Sequence, residues 1–411
     1  MDEARAERVM VRAEALAQCS EDVGQITRPY GTPSMMEAVA LTRGWMDAAG
    51  MSTRVDAVGN LLGRYDAHRP GAPSLVLGSH LDSVRNGGRY DGPLGVLVAT
   101  AVVEELHRQG LRLPIAIEVV AWADEEGLRF PTAYLGSRAY VGAFEPALLD
   151  LLDADGVSLA AAMRAIGGDP DAFQSARRDV SDLLGYVEVH IEQGPVLEGL
   201  GLPVGVVTSI AGQTRGVATF TGRAGHAGTT PGASRQDALA AAAEWVLAIE
   251  GLISDGESLV ATVGRLDVSP NAGNVIPGEV AASFDIRGPN DQARMAAVAA
   301  AHASAERIGR QRRIALDWRI GLDEVAVPFS AVLTDDLERA VTEVSGNVVR
   351  LPSGAGHDAA MLARITDVAM LFVRCAGGLS HHPDESVAVD DVAVAIDVLD
   401  RLVGRLEARH G

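Results

Sequence analysis

The chain has 411 residues, 47 % of them hydrophobic, with a formal net charge of −20 at pH 7. That length exceeds one comfortable core, so two domains are expected, and the acidic balance argues against nucleic acid or an anionic membrane as partner. All 35 basic residues are arginine. Chemistry that needs a lysine is excluded: Schiff bases, a pyridoxal phosphate linkage, a P-loop, a Ser-Lys dyad and a Cys-Glu-Lys nucleophilic triad. Cys19 and Cys375 lack CxxC spacing, which argues against a disulfide framework or a thiolate zinc site. No apolar run approaches the roughly 18 residues of a membrane span. The start Met1-Asp2-Glu3-Ala4-Arg5 reads as a charged amphipathic helix rather than a signal peptide, so a cytoplasmic protein is expected.

Up to about Ala211, strand-like and helix-like patterns alternate, as in a doubly wound, mainly parallel α/β sheet. Within it, Ser74–Leu77 runs into Gly78-Ser79-His80-Leu81-Asp82, Ile115–Trp122 into Asp124-Glu125-Glu126-Gly127, and Tyr186–Val189 into His190. Asp91 lies in the Gly-rich turn Asn86–Pro93, just before an apolar helix. The segment Asp150–Arg178 reads as a helical excursion without an assigned role. Next come strand Gly216–Thr221, helix Gln236–Glu250, strands Leu259–Gly264 and Glu279–Arg287, helix Asp291–Arg307 and strand Ile314–Ile320. That order packs as a four-stranded sheet with both helices on one face, an α+β ferredoxin-like insertion. Near Glu324 the first domain resumes, and Val368–Val373 runs into Ser380-His381-His382-Pro383. The expected organisation is therefore a catalytic domain of 1–212 and 324–411 with an inserted domain of 213–323.

Four apolar runs that each deliver His, Asp or Glu at the carboxyl edge of one sheet suggest a metal site, because ligands bind at that edge. A catalytic zinc needs about three protein ligands. His80, Asp91, Glu126, His190 and His381 supply more, which suits two ions sharing a carboxylate, with Asp91 as the natural bridge. Asp82, two residues past His80, could accept the other ring N–H and fix its tautomer. Sequence alone leaves open which of Glu125 and Glu126 binds metal and which handles protons.

The motifs Gly78–Asp82, Asn86–Gly92, Asp124–Gly127, Gly136–Arg138, His190–Pro195, Gly225–Pro231, Gly273–Pro277 and Gly354–Asp358 resemble the carbamoylase-type amidohydrolases of the M20 metallopeptidase superfamily. That group includes N-carbamoyl-L-amino-acid hydrolases, allantoate amidohydrolases, ureidoglycolate hydrolases and β-ureidopropionases, and the likeness runs from about Arg28 to about Ser386. The resemblance implies a homodimer formed through the inserted lid domain and two divalent ions per chain, zinc foremost, with manganese, cobalt or nickel as alternatives. It assigns Glu126 as ligand and Glu125 as general base. It gives His226 an oxyanion or substrate role, in its own or a partner's site, and places Gln193, Asn274, Arg287 and His357 around the substrate. Arg287 would clamp a substrate carboxylate.

Two departures stand out. Ser380-His381-His382-Pro383 offers two histidines where the family shows one; alignment selects His381, with His382 as the alternative. Ala123–Pro131 also differs from the commoner form, which bears on side-chain specificity. An aminopeptidase, dipeptidase or aminoacylase would share the metal ligands, but His190 in place of a carboxylate, together with Gln193, favours hydrolysis of a carbamoyl or ureido C–N bond in a small carboxylate substrate.

Overall fold

The computed structural model of the chain describes residues 3–254 and 258–410. Two compact units divide it: Met1–Thr208 with Phe329–Leu351 and His357–Gly411, and Ser209–Pro328 with Pro352–Gly356. In chain order the strands are β1 (Ser52–Val55), β2 (Leu61–Tyr65), β3 (Ser74–His80), β4 (Ala116–Trp122), β5 (Leu183–Ile191) and β6 (Val204–Ile210). Next come β7 (Gly212–Thr221), β8 (Gly225–His226), β9 (Val260–Thr262), β10 (Leu266–Ser269), β11 (Val275–Ile276), β12 (Glu279–Gly288), β13 (Ala315–Glu324) and β14 (Val327–Pro328). Last are β15 (Arg350–Ser353) and β16 (Val368–Val373).

The sheet of the first unit runs β1-β2-β4-β3-β5-β16-β6, and its four central strands β4, β3, β5 and β16 are parallel. Every residue of β3, β4 and β16 is buried. That explains why these strands read as continuous apolar runs instead of alternating ones. The strands β1 and β2 pair antiparallel with each other, β2 with β4, and β6 with β16. Helix Pro93–Arg108 starts with a proline, which suits the first turn, and is buried without a break from Pro93 to Val103 against β3 and β5. A Cβ on its Gly95 would overlap the Val189 carbonyl, so glycine permits this close approach to β5. His80 closes β3, and β5 continues past His190 to Ile191. His190 is thus a strand residue, where the sequence suggested a loop position: the ladder to β16 extends through Ile191, and the ring is buried.

The expected excursion forms helix Leu159–Ala165 flanked by short 3₁₀ turns, and its Leu159, Ala162 and Met163 share a satellite core with Tyr30, Phe130 and Leu135.

In the second unit the sheet order is β10-β12-β7-β13, with β9 also on β12, and the ladders are antiparallel. Along β12, buried and half-buried residues alternate. Val280, Ala282, Phe284 and Ile286 pack with Trp245 and Ala301 of helices Ala238–Glu250 and Asp291–Arg312. The expected strand Leu259–Gly264 is present as the shorter β9, and an additional strand, β10, pairs with β12 as well, so the sheet has five strands where four were expected. Pairing of Ser209–Ile210 with Val327–Pro328, and an Ala211 N–H bond to the Ser353 carbonyl, extends this unit beyond 213–323 and brings in Pro352–Gly356. Among the described residues, no helix is long and apolar enough to cross a membrane.

Candidate metal centre

Parallel pairing brings the carboxyl ends of β3, β4, β5 and β16 to one edge, with His80 opposite Trp122 and His190 opposite Phe372. The rings of His80 and His190 stack with centroids 5.8 Å apart. Asp91 reaches them from the turn before helix Pro93–Arg108. Gly92, at φ +84°, passes so close that a Cβ there would overlap the His80 ring, and its positive φ also suits glycine.

The two oxygens of Asp91 face different partners. Oδ1 is 3.2 Å from His190 Nε2 and 3.7 Å from His80 Nε2. Oδ2 is 3.3 Å from His381 Nε2, which lies 3.5 Å from Glu126 Oε1. Two ligand groups therefore converge around one shared carboxylate, His80-Asp91-His190 and Asp91-Glu126-His381. A further group, His80-Glu125-Glu126, brings Glu125 Oε2 to 3.9 Å from His80 Nε2. His382 belongs to none of these groups, and its Nδ1 accepts from the Asp384 N–H at 3.1 Å.

Asp82 has a different main partner from the one expected. Its carboxylate oxygens accept the backbone N–H groups of Glu125 at 3.1 Å and Glu126 at 3.0 Å. The nearest acceptor to His80 Nδ1 is the Asp82 main-chain carbonyl at 3.1 Å, with the carboxylate at 3.5 Å. The acid thus clamps the Glu125-Glu126 turn more directly than it orients His80. Arg28, fully buried, donates to the carbonyl of Leu81, between His80 and Asp82, at 2.5 Å, and burial lowers its pKa to about 10.

Electrostatically the site is a knot of buried acids and imidazoles. Burial, reinforced by like-charged neighbours, pushes Glu125 well above the ordinary carboxylate range and Glu126 up to about 8. Burial alone would lower His80 and His190, but the carboxylates outweigh it and both are raised, His80 strongly, while the histidines hold Asp91 far down. Nitrogen and oxygen donors with no thiolate, gathered around a shared carboxylate and beside two carboxyls that resist ionisation, suit a divalent cation.

The other expected site residues fall into two sets. In the first unit, Gln193 (φ +57°) donates from Nε2 to Asp91 Oδ2 at 2.9 Å and to Ser380 Oγ at 3.0 Å, and its amide oxygen is buried without a hydrogen-bond partner. Ser380 Oγ also donates to Asp91 Oδ2. His357 is 1 % exposed, with its ring 4.5 Å from that of His190, and forms a further group of convergent donors with Glu188 and His190. Burial and His190 push it well below 6.5. In the second unit, His226 is exposed and pairs across the β8/β11 ribbon with Val275, next to Asn274, whose carbonyl accepts the Ala227 N–H at 3.0 Å. The Arg287 fork grips Asp285 at 3.0 and 2.9 Å, and Nη1 donates to the Gly354 carbonyl at 2.7 Å.

Several residues that sequence reasoning missed belong to the same neighbourhood. Glu188, fully buried two residues before His190, accepts from Ser79 Oγ at 3.0 Å, Tyr186 OH at 3.1 Å and the Ala359 N–H at 3.1 Å. Asp124 has φ +55° and is fully buried, with no hydrogen-bond partner for either carboxyl oxygen. Glu385 accepts from the backbone beneath Asp91. A charged residue inside an apolar strand was the available signal for Glu188.

Comparison with known proteins matches residues 76–405 to the Peptidase family M20/M25/M40. An N-carbamoyl-L-amino acid amidohydrolase of Geobacillus stearothermophilus is 41 % identical over 405 residues, 97 % of this chain and 99 % of that one. An allantoate deiminase of Arabidopsis thaliana is 37 % identical over 420 residues, 94 % of this chain and 79 % of its own. The crystal structure of an amidase of the hydantoinase/carbamoylase family from Burkholderia multivorans shares 32 % identity and a TM-score of 0.90, covering 97 % of each chain. With the family matched over most of its length and such relatives spanning nearly all of it, the chain belongs to peptidase family M20/M25/M40.

Proposed function

We propose that the protein hydrolyses the carbamoyl or ureido C–N bond of a small carboxylate substrate, an N-carbamoyl-L-amino acid or allantoate, releasing ammonia and carbon dioxide. The observation that carries this reading is Asp91, whose two oxygens face His80 and His190 on one side and His381 on the other, with Glu126 beside His381 and Glu125 beside His80. The amidohydrolase and deiminase relatives favour the carbamoyl class over peptides.

In this reading two divalent ions, zinc foremost and manganese, cobalt or nickel as alternatives, are held by His80, Asp91, Glu126, His190 and His381. When bound, they would make water more acidic and draw charge from the substrate carbonyl. Glu125 takes the proton from water and returns it to the leaving nitrogen, a role suited to a carboxyl group 3.9 Å from His80 Nε2 and next to the proposed ligand Glu126. Asp82 keeps Glu125 and Glu126 in place through their backbone N–H groups. Gln193 steadies Asp91 with its amide nitrogen and offers its unpartnered oxygen to a substrate N–H. His357 packs edge-on against the His190 ring.

The inserted unit serves as lid and dimerisation surface. Its His226 stabilises the developing oxyanion, and Asn274 and Arg287 receive the substrate carboxylate, with Arg287 shared between substrate and Asp285. An ammonia-release assay across carbamoyl amino acids, allantoate and ureidoglycolate, with cleavage of dipeptides followed in parallel, checks the reading. Turnover of carbamoyl or ureido compounds is expected, and turnover of dipeptides alone would replace it with a peptidase.

A further inference from the structure

The turn that carries Asp91 is held by a carboxylate from the far end of the chain. Glu385 is 1 % exposed, and its Oε1 accepts the backbone N–H of Tyr90 at 2.7 Å and of Asp91 at 3.1 Å. Its own N–H donates to the His382 carbonyl at 3.1 Å, closing the turn that presents His381. One residue therefore grips the backbone under Asp91 and also terminates the loop whose His381 lies 3.3 Å from Asp91 Oδ2. The fit is close: a Cβ on Gly88 would overlap the Glu385 carboxyl group, so glycine at 88 leaves the space that this carboxylate fills. Burying a carboxylate is costly unless donors meet it, and here two adjacent backbone N–H groups do. Among the described residues, the convergent ligand groups do not include Glu385, so its place is behind the ligands.

We propose that Glu385 is a positioning residue that couples the Asp91 turn to the His381 loop, so that both halves of the divalent-metal site assemble together. It rests on the metal-site reading above and extends it to a residue that touches neither ion nor substrate. Because Asp91 faces both ligand groups, a shift of its backbone displaces both at once. Supporting contacts of this kind change metal affinity about 10–100-fold.

The experiment titrates metal-free protein with Zn²⁺ or Mn²⁺ by calorimetry, with a melting curve for each variant, comparing the parent with Glu385→Gln, Glu385→Asp and Gly88→Ala. Glutamine keeps the length and one acceptor oxygen, and its amide nitrogen would occupy the place of Oε2, which has no hydrogen-bond partner. It should titrate close to the parent. Aspartate keeps the charge but is one methylene too short, and should bind both ions about 10–100-fold more weakly, whereas weakening at one ion alone would refute the coupling. Gly88→Ala leaves Glu385 intact but takes its space, and should weaken binding in the same way. A merely structural contact would lower the melting temperature and leave the affinities alone. Folded Asp and Ala variants that titrate like the parent would overturn the proposal, as would a Gln variant as weak as the Asp variant. If one of these variants fails to fold, the other still reads the coupling. A parent that binds two ions but turns over no carbamoyl substrate would defeat the proposed activity and leave Glu385's role standing.

Discussion

The two units place their candidate functional residues in opposite physical settings. In the first, His80, Asp91, Glu125 and His190 are all buried, seated at strand ends or in turns pinned by Asp82 and Glu385, with Glu126 half-buried and His381 the one exposed member of the set. In the second, His226 and Asn274 are exposed on a two-residue ribbon, and Arg287 is half-buried and paired with Asp285. Geometry that must hold to a fraction of an ångström is built into a rigid sheet edge, whereas the groups proposed to meet a substrate sit where side chains can still rearrange. If that contrast is functional, damage in the first unit should remove the reaction, and damage in the second should change how well a substrate is held.

The largest effect is expected from the shared carboxylate. Asp91→Ala removes the group that faces both ligand sets and should leave a protein without two-ion stoichiometry and without measurable turnover, checked by elemental analysis beside the ammonia assay. Two ions retained in that variant would break the picture of a bridge. Removing metal from the parent with a chelator should abolish activity, and adding it back should restore it.

Next in size, Glu125→Gln should lower kcat about 10²–10⁴-fold, the span of acid–base catalysis, while metal content stays at the parental level. Glu126→Gln should instead lose metal at one site. Swapped outcomes would reassign the two neighbours.

In the second unit, Arg287→Ala should lower kcat/KM roughly 10- to 100-fold, the equivalent of one charged hydrogen bond of about 1.5–3 kcal/mol, with metal content intact. Arg287→Lys should fall between that variant and the parent, because it keeps charge but loses the fork. An amidated substrate should already be poor with the parent and should lose little more in the variant. Equal losses on both substrates would make Arg287 a structural partner of Asp285 and weaken the contrast between the units.

The smallest effect concerns pH. In the metal-free protein burial raises Glu126 to about 8, so a proton occupies that ligand position at neutral pH, and neighbouring carboxylates shift His80 and His190 upward as well. An ion must displace such protons, and its apparent affinity should therefore rise with pH up to about 8 and fall below it, on the order of tenfold per pH unit for each proton displaced. Calorimetry at pH 7 in buffers of different ionisation enthalpy should register proton release on binding. Heats independent of buffer would show that the ligands are already unprotonated.

Much of this protein was legible in the chain itself. Buried parallel strands read as unbroken apolar runs, so the segments that became β3, β4, β5 and β16 stood out, and so did the His, Asp and Glu residues at or just beyond their ends. Four of the strands and both helices of the inserted unit were also readable, because period and turn residues are local properties, but β10 and the short β8/β11 ribbon were not. What tertiary structure decided was direction and partnership. Packing turned His381 toward Asp91 and His382 toward Asp384, set the Asp82 carboxylate on two backbone N–H groups, and closed the Arg287 fork on Asp285. Glu385 and Asp91 pair across nearly 300 residues of chain, and a single side chain meeting a distant turn leaves no periodicity to read. Hydrophobic pattern reports which residues leave water; which polar group meets which is settled only when the buried chain must satisfy every donor and acceptor at once.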